Sequence, residues 1–150
     1  MAFGAPSLKG RALRLLSQRE HSRTELERKL ARYEEEPGAL AKALDELVAK
    51  DFISEPRVVQ SVLHQGAARF GAMRVRQTLQ QKGIAPDAIA QAVAQLQPTE
   101  FERARALWRR RFDAPPTDAK ERAKQARFLM ARGFAGGVAA KVLNAGDDDE

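Results

Sequence analysis

The side chains that carry most enzyme chemistry are scarce in this sequence. Cysteine is absent, which removes thiolate nucleophiles, disulfide bridges and cysteine-ligated metal centres. The two histidines, His21 and His64, are 43 residues apart and lie near neither a serine elbow nor an HExxH metal motif. The carboxylates sit mostly at predicted helix starts or among basic residues, where capping and ion pairing account for them. We therefore predict no catalytic residue, no metal site and no enzymatic activity.

A phosphate-binding glycine loop is also missing. Gly136 and Gly137 form a glycine pair at a predicted helix start, but no lysine follows at the position that such a loop requires. The sequence therefore predicts no bound nucleotide and no cofactor.

Basic side chains are the residues through which this chain could recognise a partner. Lys and Arg number 26 against 20 Asp and Glu, a net charge of +6, and four of the acidic residues occupy positions 147–150. Residues 57–82 include five basic and no acidic side chains, and residues 101–132 include ten basic and four acidic ones. This uneven distribution predicts that the second and third parts of the chain meet a polyanion.

Twelve basic residues in these two segments are candidate contacts to DNA or to a DNA-bearing partner. They are Arg69, Arg74, Arg76, Lys82, Arg109, Arg110, Arg111, Lys120, Arg122, Lys124, Arg127 and Arg132. The first four have no acidic neighbour nearby in the sequence. Consecutive arginines fan around a helix, so only one or two of residues 109–111 can face one partner. A merely solvated helix face is the competing interpretation.

The elements that must position these side chains all have helical periodicity, and about nine helices are predicted. Capping-box spacing marks helix starts at Ser22 with Glu25, Thr99 with Glu102 and Asp118 with Glu121. Pro56 and Pro86 suit first turns, and Gly71, Gly83 and Gly133 suit left-handed C-caps. The sequence therefore predicts an all-α protein.

The helices recur with a period of about fifty residues, because Leu30, Leu79 and Leu129 occupy matching positions 49 and 50 residues apart. Each copy is a three-helix module. We predict three tandem modules in an elongated, curved array, at 1–52, 53–97 and 98–144, followed by an acidic tail at 145–150. The turn at 33–37 lacks the glycine turn of the other copies, which predicts a different geometry in the first module.

Aromatic residues are expected to be structural. Trp108 could stack on a base, but its neighbour Leu107 and its helical setting favour a core position. Phe128, Leu129 and Phe134 have spacing that favours the buried helix face. Phe70 could contact a partner at a turn, although a hydrophobic clasp at a helix end is the more common arrangement.

The distribution of apolar residues predicts a cytoplasmic protein, which we also expect to be a monomer. No apolar run approaches the roughly 20 residues that span a bilayer. Arg11 and Arg14 interrupt the N-terminal apolar stretch, which does not fit a secretion signal.

Three stretches resemble the RecX regulatory protein family over almost the whole chain. They are ALRLLSQREHSRTELERKL at 12–30, GAMRVRQTLQQKGI at 71–84, and FERARALWRRRF at 101–112 followed by KERAKQARFLMARGF at 120–134. The resemblance implies three tandem three-helix repeats and negative modulation of RecA, through binding in the groove of its filament on single-stranded DNA. It also implies reduced filament growth, recombinase and coprotease activity, with DNA contacted directly or through RecA.

Two other functions are compatible with the charge pattern. Short trihelical bundles with a basic third helix read duplex DNA as helix-turn-helix regulators, although here the basic residues concentrate on the first and second helices of each module. An RNA-binding or ribosome-associated scaffold is the other alternative.

Overall fold

The protein, a computed structural model described over residues 5–145, is all-α in that range, and the predicted class is confirmed. The α-helices within it are α1 (Leu8–Gln18), α2 (Arg23–Leu30), α3 (Ala39–Ala49), α4 (Glu55–Gly66), α5 (Ala72–Gln81), α6 (Pro86–Leu96), α7 (Glu100–Arg111), α8 (Ala119–Ala131) and α9 (Gly136–Ala145). Short 3₁₀ turns occupy Ala31–Tyr33 and Gln97–Thr99. The acidic cluster at 147–150 lies outside the described residues.

Each set of three consecutive helices encloses its own hydrophobic core. Leu44 and Leu47 are fully buried between α1, α2 and α3, and Val58 and Leu79 are buried between α4, α5 and α6. Trp108 is fully buried in the third core. Since no buried cluster extends over two sets, the chain consists of three tandem three-helix repeats, as predicted.

The glycine turns of the second and third repeats have the predicted left-handed geometry. Gly83 and Gly133 have φ values of +72° and +95°, which a residue with a Cβ adopts only at a cost. The next residue, Ile84 or Phe134, is buried and donates its amide to a carbonyl five residues back, at 3.1 and 3.2 Å. Each glycine thus ends one helix and returns an apolar side chain to the core.

The first repeat departs from this pattern, as expected from its sequence. Its second helix runs into the 3₁₀ turn at Ala31–Tyr33, and the left-handed glycine, Gly38, is the N-cap of α3. The Ser22–Glu25 capping box is complete, and Asp118 accepts the Glu121 amide at 2.8 Å.

One predicted helix-end signal, Gly71, is wrong, and another, Thr99, marks a helix start without forming the predicted capping box. Gly71 has an extended backbone with φ −81° and begins α5 rather than ending α4, which already ends at Gly66. Thr99 is the N-cap of α7, as predicted, but its side chain makes no capping hydrogen bond: its hydroxyl donates to the Leu96 carbonyl at 3.3 Å and accepts from Arg103 at 3.0 Å. Gly71 is held by a contact between repeats, which local spacing cannot reveal, whereas the partners of Thr99 lie three and four residues away.

The first junction, between repeats one and two, centres on the carboxylate of Glu25. It accepts from Arg19 at 2.8 Å, from the Ser22 amide at 3.0 Å and from Lys82 of the second repeat at 3.1 Å. Burial alone would raise the pKa of Glu25, but these three donors outweigh burial and lower the pKa to about 2. The carboxylate therefore stays ionised and holds both repeats.

Further contacts at the first junction are also polar or involve glycine. Arg57 of α4 pairs with Glu20 at 3.0 Å, and Arg28 of α2 donates to the Gln81 carbonyl at 2.6 Å. A Cβ at Gly83 would collide with the side chain of Thr24 at the start of α2. The glycine turn of the second repeat thus lies directly against the first.

At the second junction, between repeats two and three, a glycine turn again lies against the preceding repeat. The Gly71 amide donates to the Arg132 carbonyl at 2.8 Å, and the Met73 amide donates to the Gly133 carbonyl at 3.0 Å. A Cβ at Gly133 would lie 2.5 Å from the backbone nitrogen of Arg74. The turn of the third repeat therefore lies against the start of α5.

His21 is a buried imidazole in the first repeat. Its Nδ1 lies 3.1 Å from the Arg19 carbonyl and its Nε2 lies 2.9 Å from the Lys29 ammonium. A carbonyl cannot donate and an ammonium cannot accept, so the neutral ring donates from Nδ1 and accepts at Nε2. Burial lowers the pKa of His21 below its usual 6.5, outweighing the Arg19 carbonyl, and the charges of Arg19 and Lys29 lower it further.

Acidification is expected to destabilise the protein through His21. Below pH 6.5 the His21 ring takes up a proton in the unfolded chain but stays neutral in the folded protein, where its pKa is lower. The free energy of unfolding therefore decreases as the pH falls from 6.5 towards the lowered pKa of the folded state. Urea denaturation at a series of pH values below 6.5 measures this loss, with His21→Gln as the control. A pH dependence that is unchanged in His21→Gln would contradict the assignment.

Candidate partner and nucleic-acid interface

Most of the predicted contact residues are on the surface. Nine are exposed: Arg69, Arg74, Arg76, Arg109, Arg110, Arg111, Lys120, Lys124 and Arg127. Three are half-buried: Lys82, Arg122 and Arg132. Their tertiary contacts separate these residues into a cluster at the second junction and a group that lies elsewhere.

Four of the candidates meet aromatic rings at the second junction. We call this cluster the junction belt and define it as Arg69, Phe70, Arg74, Arg111, Phe112, Phe128 and Arg132. Within it the guanidinium carbons of Arg69 and Arg74 lie 5.5 and 4.6 Å from the centre of the Phe70 ring. Those of Arg111 and Arg132 lie 5.0 Å from the centres of the Phe112 and Phe128 rings. Each arginine is thus placed by a cation–π contact.

The two halves of the junction belt are connected across the junction. Phe112 and Phe128 pack edge to face with their ring centres 5.4 Å apart. The Arg132 carbonyl accepts from Gly71, which adjoins Phe70. Phe112 and Phe128 both belong to repeat three, so the backbone hydrogen bond is the contact that brings its part of the belt beside that of repeat two.

The electrostatics of the junction belt favour an anionic partner. Within the described residues, its four arginines form no ion pair with a carboxylate. Aromatic rings hold them in place without neutralising them. The guanidinium group of an arginine can bind a phosphate through two hydrogen bonds, so an arginine-rich surface of this kind favours phosphate oxygens.

The remaining candidates lie outside the junction belt. Lys82 pairs with Glu25, an acidic partner 57 residues away that its sequence neighbourhood did not reveal. Arg122 donates to the Asn144 side chain at 2.8 Å. These two residues have structural partners outside the belt.

Sequence reasoning missed the aromatic component of the belt. Phe112 is half-buried against the third core, and its ring contacts the Arg111 guanidinium. The only sign of this role in the sequence is that Phe112 directly follows three arginines. Phe128 is half-buried rather than fully buried. The expectation for Trp108 is confirmed: it is fully buried, and its Nε1 donates to Gln125 at 2.7 Å.

Between residues 5 and 145 the structure contains neither a membrane-spanning helix nor a metal-binding cluster. No helix there has the length and apolar character needed to cross a membrane. No group of histidine and carboxylate side chains there is arranged to hold a metal ion.

Three tandem three-helix repeats define a helical-repeat protein, and in this one a cationic surface lies at one junction. The sequence matches the first, second and third three-helix domains of RecX over residues 9–47, 54–93 and 99–143. It is 52% identical to the regulatory protein RecX of Leptothrix cholodnii, covering 99% of this chain and 96% of that protein. It is 45% identical to the regulatory protein RecX of Ralstonia nicotianae, covering 94% of this chain and 89% of that protein.

Solved structures have the same fold. The crystal structure of RecX from Lactobacillus salivarius superposes with a TM-score of 0.76 at 19% identity, covering 91% of this chain and 92% of that one. The chain therefore belongs to the RecX family, whose members are regulatory proteins rather than enzymes.

Proposed function

We propose that the protein is a negative modulator of RecA, which binds the RecA filament on single-stranded DNA and inhibits its growth, recombinase activity and coprotease activity. It would act as a monomer in the cytoplasm. Family membership supports the RecA partner, because the relatives are regulatory proteins named RecX. The junction belt is the observation on this chain that carries the proposal, because it presents unpaired arginines to a polyanion.

The mechanism would be electrostatic docking along the filament. Lysine and arginine contacts to phosphates release counterions, and positioning of this kind needs no reading of base edges. In this arrangement the outer repeats reach adjacent RecA subunits while the basic middle faces the groove. Retention on the filament is expected to fall steeply as salt rises.

The helix-turn-helix alternative is disfavoured by where the basic residues lie. The third helix of each repeat would be the reading helix, yet α3, α6 and α9 together contain only two basic residues, Lys42 and Lys141. A duplex-reading helix normally carries several side chains that reach base edges.

Inhibition of RecA is expected to depend on the junction belt. In a DNA-dependent ATP hydrolysis assay of RecA, substoichiometric protein is expected to lower the rate. Arg69→Glu with Arg74→Glu is expected to weaken inhibition by about tenfold or more, since two phosphate-facing charges are reversed. Lys42→Glu with Lys50→Glu, an equal charge change on the first repeat, is the control.

Three results would count against the proposal. The first is unchanged hydrolysis with excess protein, and the second is equal loss of inhibition in both variant pairs. The third is a footprint on one duplex sequence that survives moderate salt, which would favour a helix-turn-helix regulator. A pull-down with RecA, with and without single-stranded DNA, separates RecA binding from DNA binding.

A further inference from the structure

A concave cleft of about 580 Å³ lies in the first repeat, between α1 and the segment formed by α2 and its 3₁₀ turn. The side chains that line it include five basic residues and the single tyrosine of the chain. They are Arg11, Arg14, Arg28, Lys29, Arg32 and Tyr33. No acidic residue of the described chain lines the cleft. The basic candidates chosen from the sequence all lie in the other two repeats, so this cleft is a separate feature.

Helical spacing places the positive charges on facing walls. Arg11 and Arg14 are three residues apart on α1, and Lys29 and Arg32 are three apart on the opposite segment. Between residues 5 and 145, none of the five basic side chains forms an ion pair with a carboxylate. Concave surfaces lined by one sign of charge concentrate the electrostatic potential, so the cleft attracts compact anions.

Tyr33 holds two of the guanidinium groups in place. The guanidinium carbon of Arg11 lies 3.7 Å from the centre of the ring, and Arg32 donates to the phenol oxygen at 2.7 Å. Ordering these long side chains before a ligand arrives reduces the entropy lost on binding. The Arg14 guanidinium has no hydrogen-bond or ion-pair partner within the described chain, and is available to a ligand.

We propose that this cleft binds a compact polyphosphate, free or carried by a nucleoside, through its phosphate groups. Guanidinium forks match phosphate oxygens, and the volume falls within the range of about 300 to 1,000 Å³ that small-ligand sites occupy. Five cations around one concavity suit an anion with several adjacent charges better than a strand with one charge per nucleotide. The absence of a glycine loop is no obstacle, because side chains rather than backbone amides supply the donors.

Calorimetric titration of the whole chain, without RecA, DNA or Mg²⁺, tests the proposal. Inorganic tripolyphosphate and ATP are each expected to bind at one site per chain. Arg14→Glu is expected to weaken the binding of both ligands by about tenfold or more, the effect of losing a charge-assisted hydrogen bond. Lys42→Glu, an equal charge change on the exposed face of α3, is expected to leave both affinities within about twofold, as for a distant screened charge.

Circular dichroism would confirm that Arg14→Glu is folded. Tyr33→Phe removes the bond that orients Arg32, and is expected to weaken tripolyphosphate binding by a smaller factor than Arg14→Glu. Absence of binding, or equal loss in Arg14→Glu and Lys42→Glu, would overturn the proposal. So would Arg14-dependent binding of a single-stranded oligonucleotide alone, which would make the cleft a nucleic-acid surface. The RecA proposal is unaffected by any of these results.

Discussion

Replacing Arg103 by alanine is expected to lower the free energy of unfolding by about 3 kcal/mol or more, the range found when a buried ion pair is broken. Arg103 pairs with Glu100, and both side chains are nearly buried, with 14% and 12% of their surface exposed. The guanidinium also donates to the carbonyls of Ala67 and Phe70 at the end of α4, both at 2.8 Å. The variant therefore leaves one oxygen of the Glu100 carboxylate and two carbonyls without their donor.

Glu100 extends the effect to the next helix. Its second oxygen accepts from the Ala72 amide at 2.7 Å, in the first turn of α5. The pair on α7 thus holds the end of α4 and the start of α5 and connects repeats two and three. Loss of Arg103 is expected to loosen the whole junction, because the end of α4 and the start of α5 depend on the same two side chains.

Urea denaturation followed by circular dichroism and by Trp108 fluorescence measures the loss. Arg76→Ala, at an exposed position of α5, is the control and is expected to change stability by less than about 0.5 kcal/mol. Adding Glu100→Gln to Arg103→Ala is expected to cost less than the sum of the single variants, because the two charges act as a unit. A loss below about 1 kcal/mol in Arg103→Ala would show that the pair does not hold the junction.

Gly133→Ala is expected to destabilise the protein by about 2 kcal/mol. A left-handed backbone costs a residue with a Cβ about 1 to 2 kcal/mol, and the contact of this Cβ with the neighbouring repeat adds to that cost. The φ of Gly133 is +95°, and a Cβ there would meet the backbone nitrogen of Arg74 at 2.5 Å. Backbone cannot move aside as the end of a flexible side chain can. The variant must therefore open the second junction.

Amide hydrogen exchange reports this opening directly. The Gly71 and Met73 amides donate to the carbonyls of Arg132 and Gly133, so both are expected to exchange faster in the variant. Gly137→Ala is the matched control: nothing lies within 4 Å of its added Cβ, and helix propensity predicts a gain of roughly 0.5 to 1 kcal/mol. Unchanged protection of Gly71 and Met73 in Gly133→Ala would contradict the close contact.

The two junctions follow one construction rule. In each, the left-handed glycine of one repeat lies against the start of the second helix of the repeat before it: Gly83 against Thr24, and Gly133 against Arg74. Because only glycine permits this approach, both turns fix the position of neighbouring repeats. The junction belt depends on the second contact, since Arg132 and Arg74 lie on its two sides. Gly133→Ala is therefore also expected to weaken any activity that uses the belt.

The sequence alone predicted the features that depend on neighbours within about four residues. Helical periodicity, the Ser22–Glu25 box and the glycine turns at Gly83 and Gly133 are local, because backbone hydrogen bonds and capping act over one turn. The repeat period and the buried position of Trp108 followed from the same local patterns. The all-α class and the three tandem repeats could therefore be predicted from residue spacing.

Only the tertiary structure decided which residues meet across the junctions. Nothing near Lys82 in the sequence indicates Glu25, and nothing near Gly71 indicates that its amide would meet the Arg132 carbonyl. Arg103 resembles the other basic residues of its helix until its surroundings are known. The physical reason is that burial, close backbone approach and ion pairing depend on how whole repeats pack. That packing brings together residues from 28 positions apart, as for Ala72 and Glu100, to 61 positions apart, as for Gly71 and Arg132, which is beyond the reach of any local pattern.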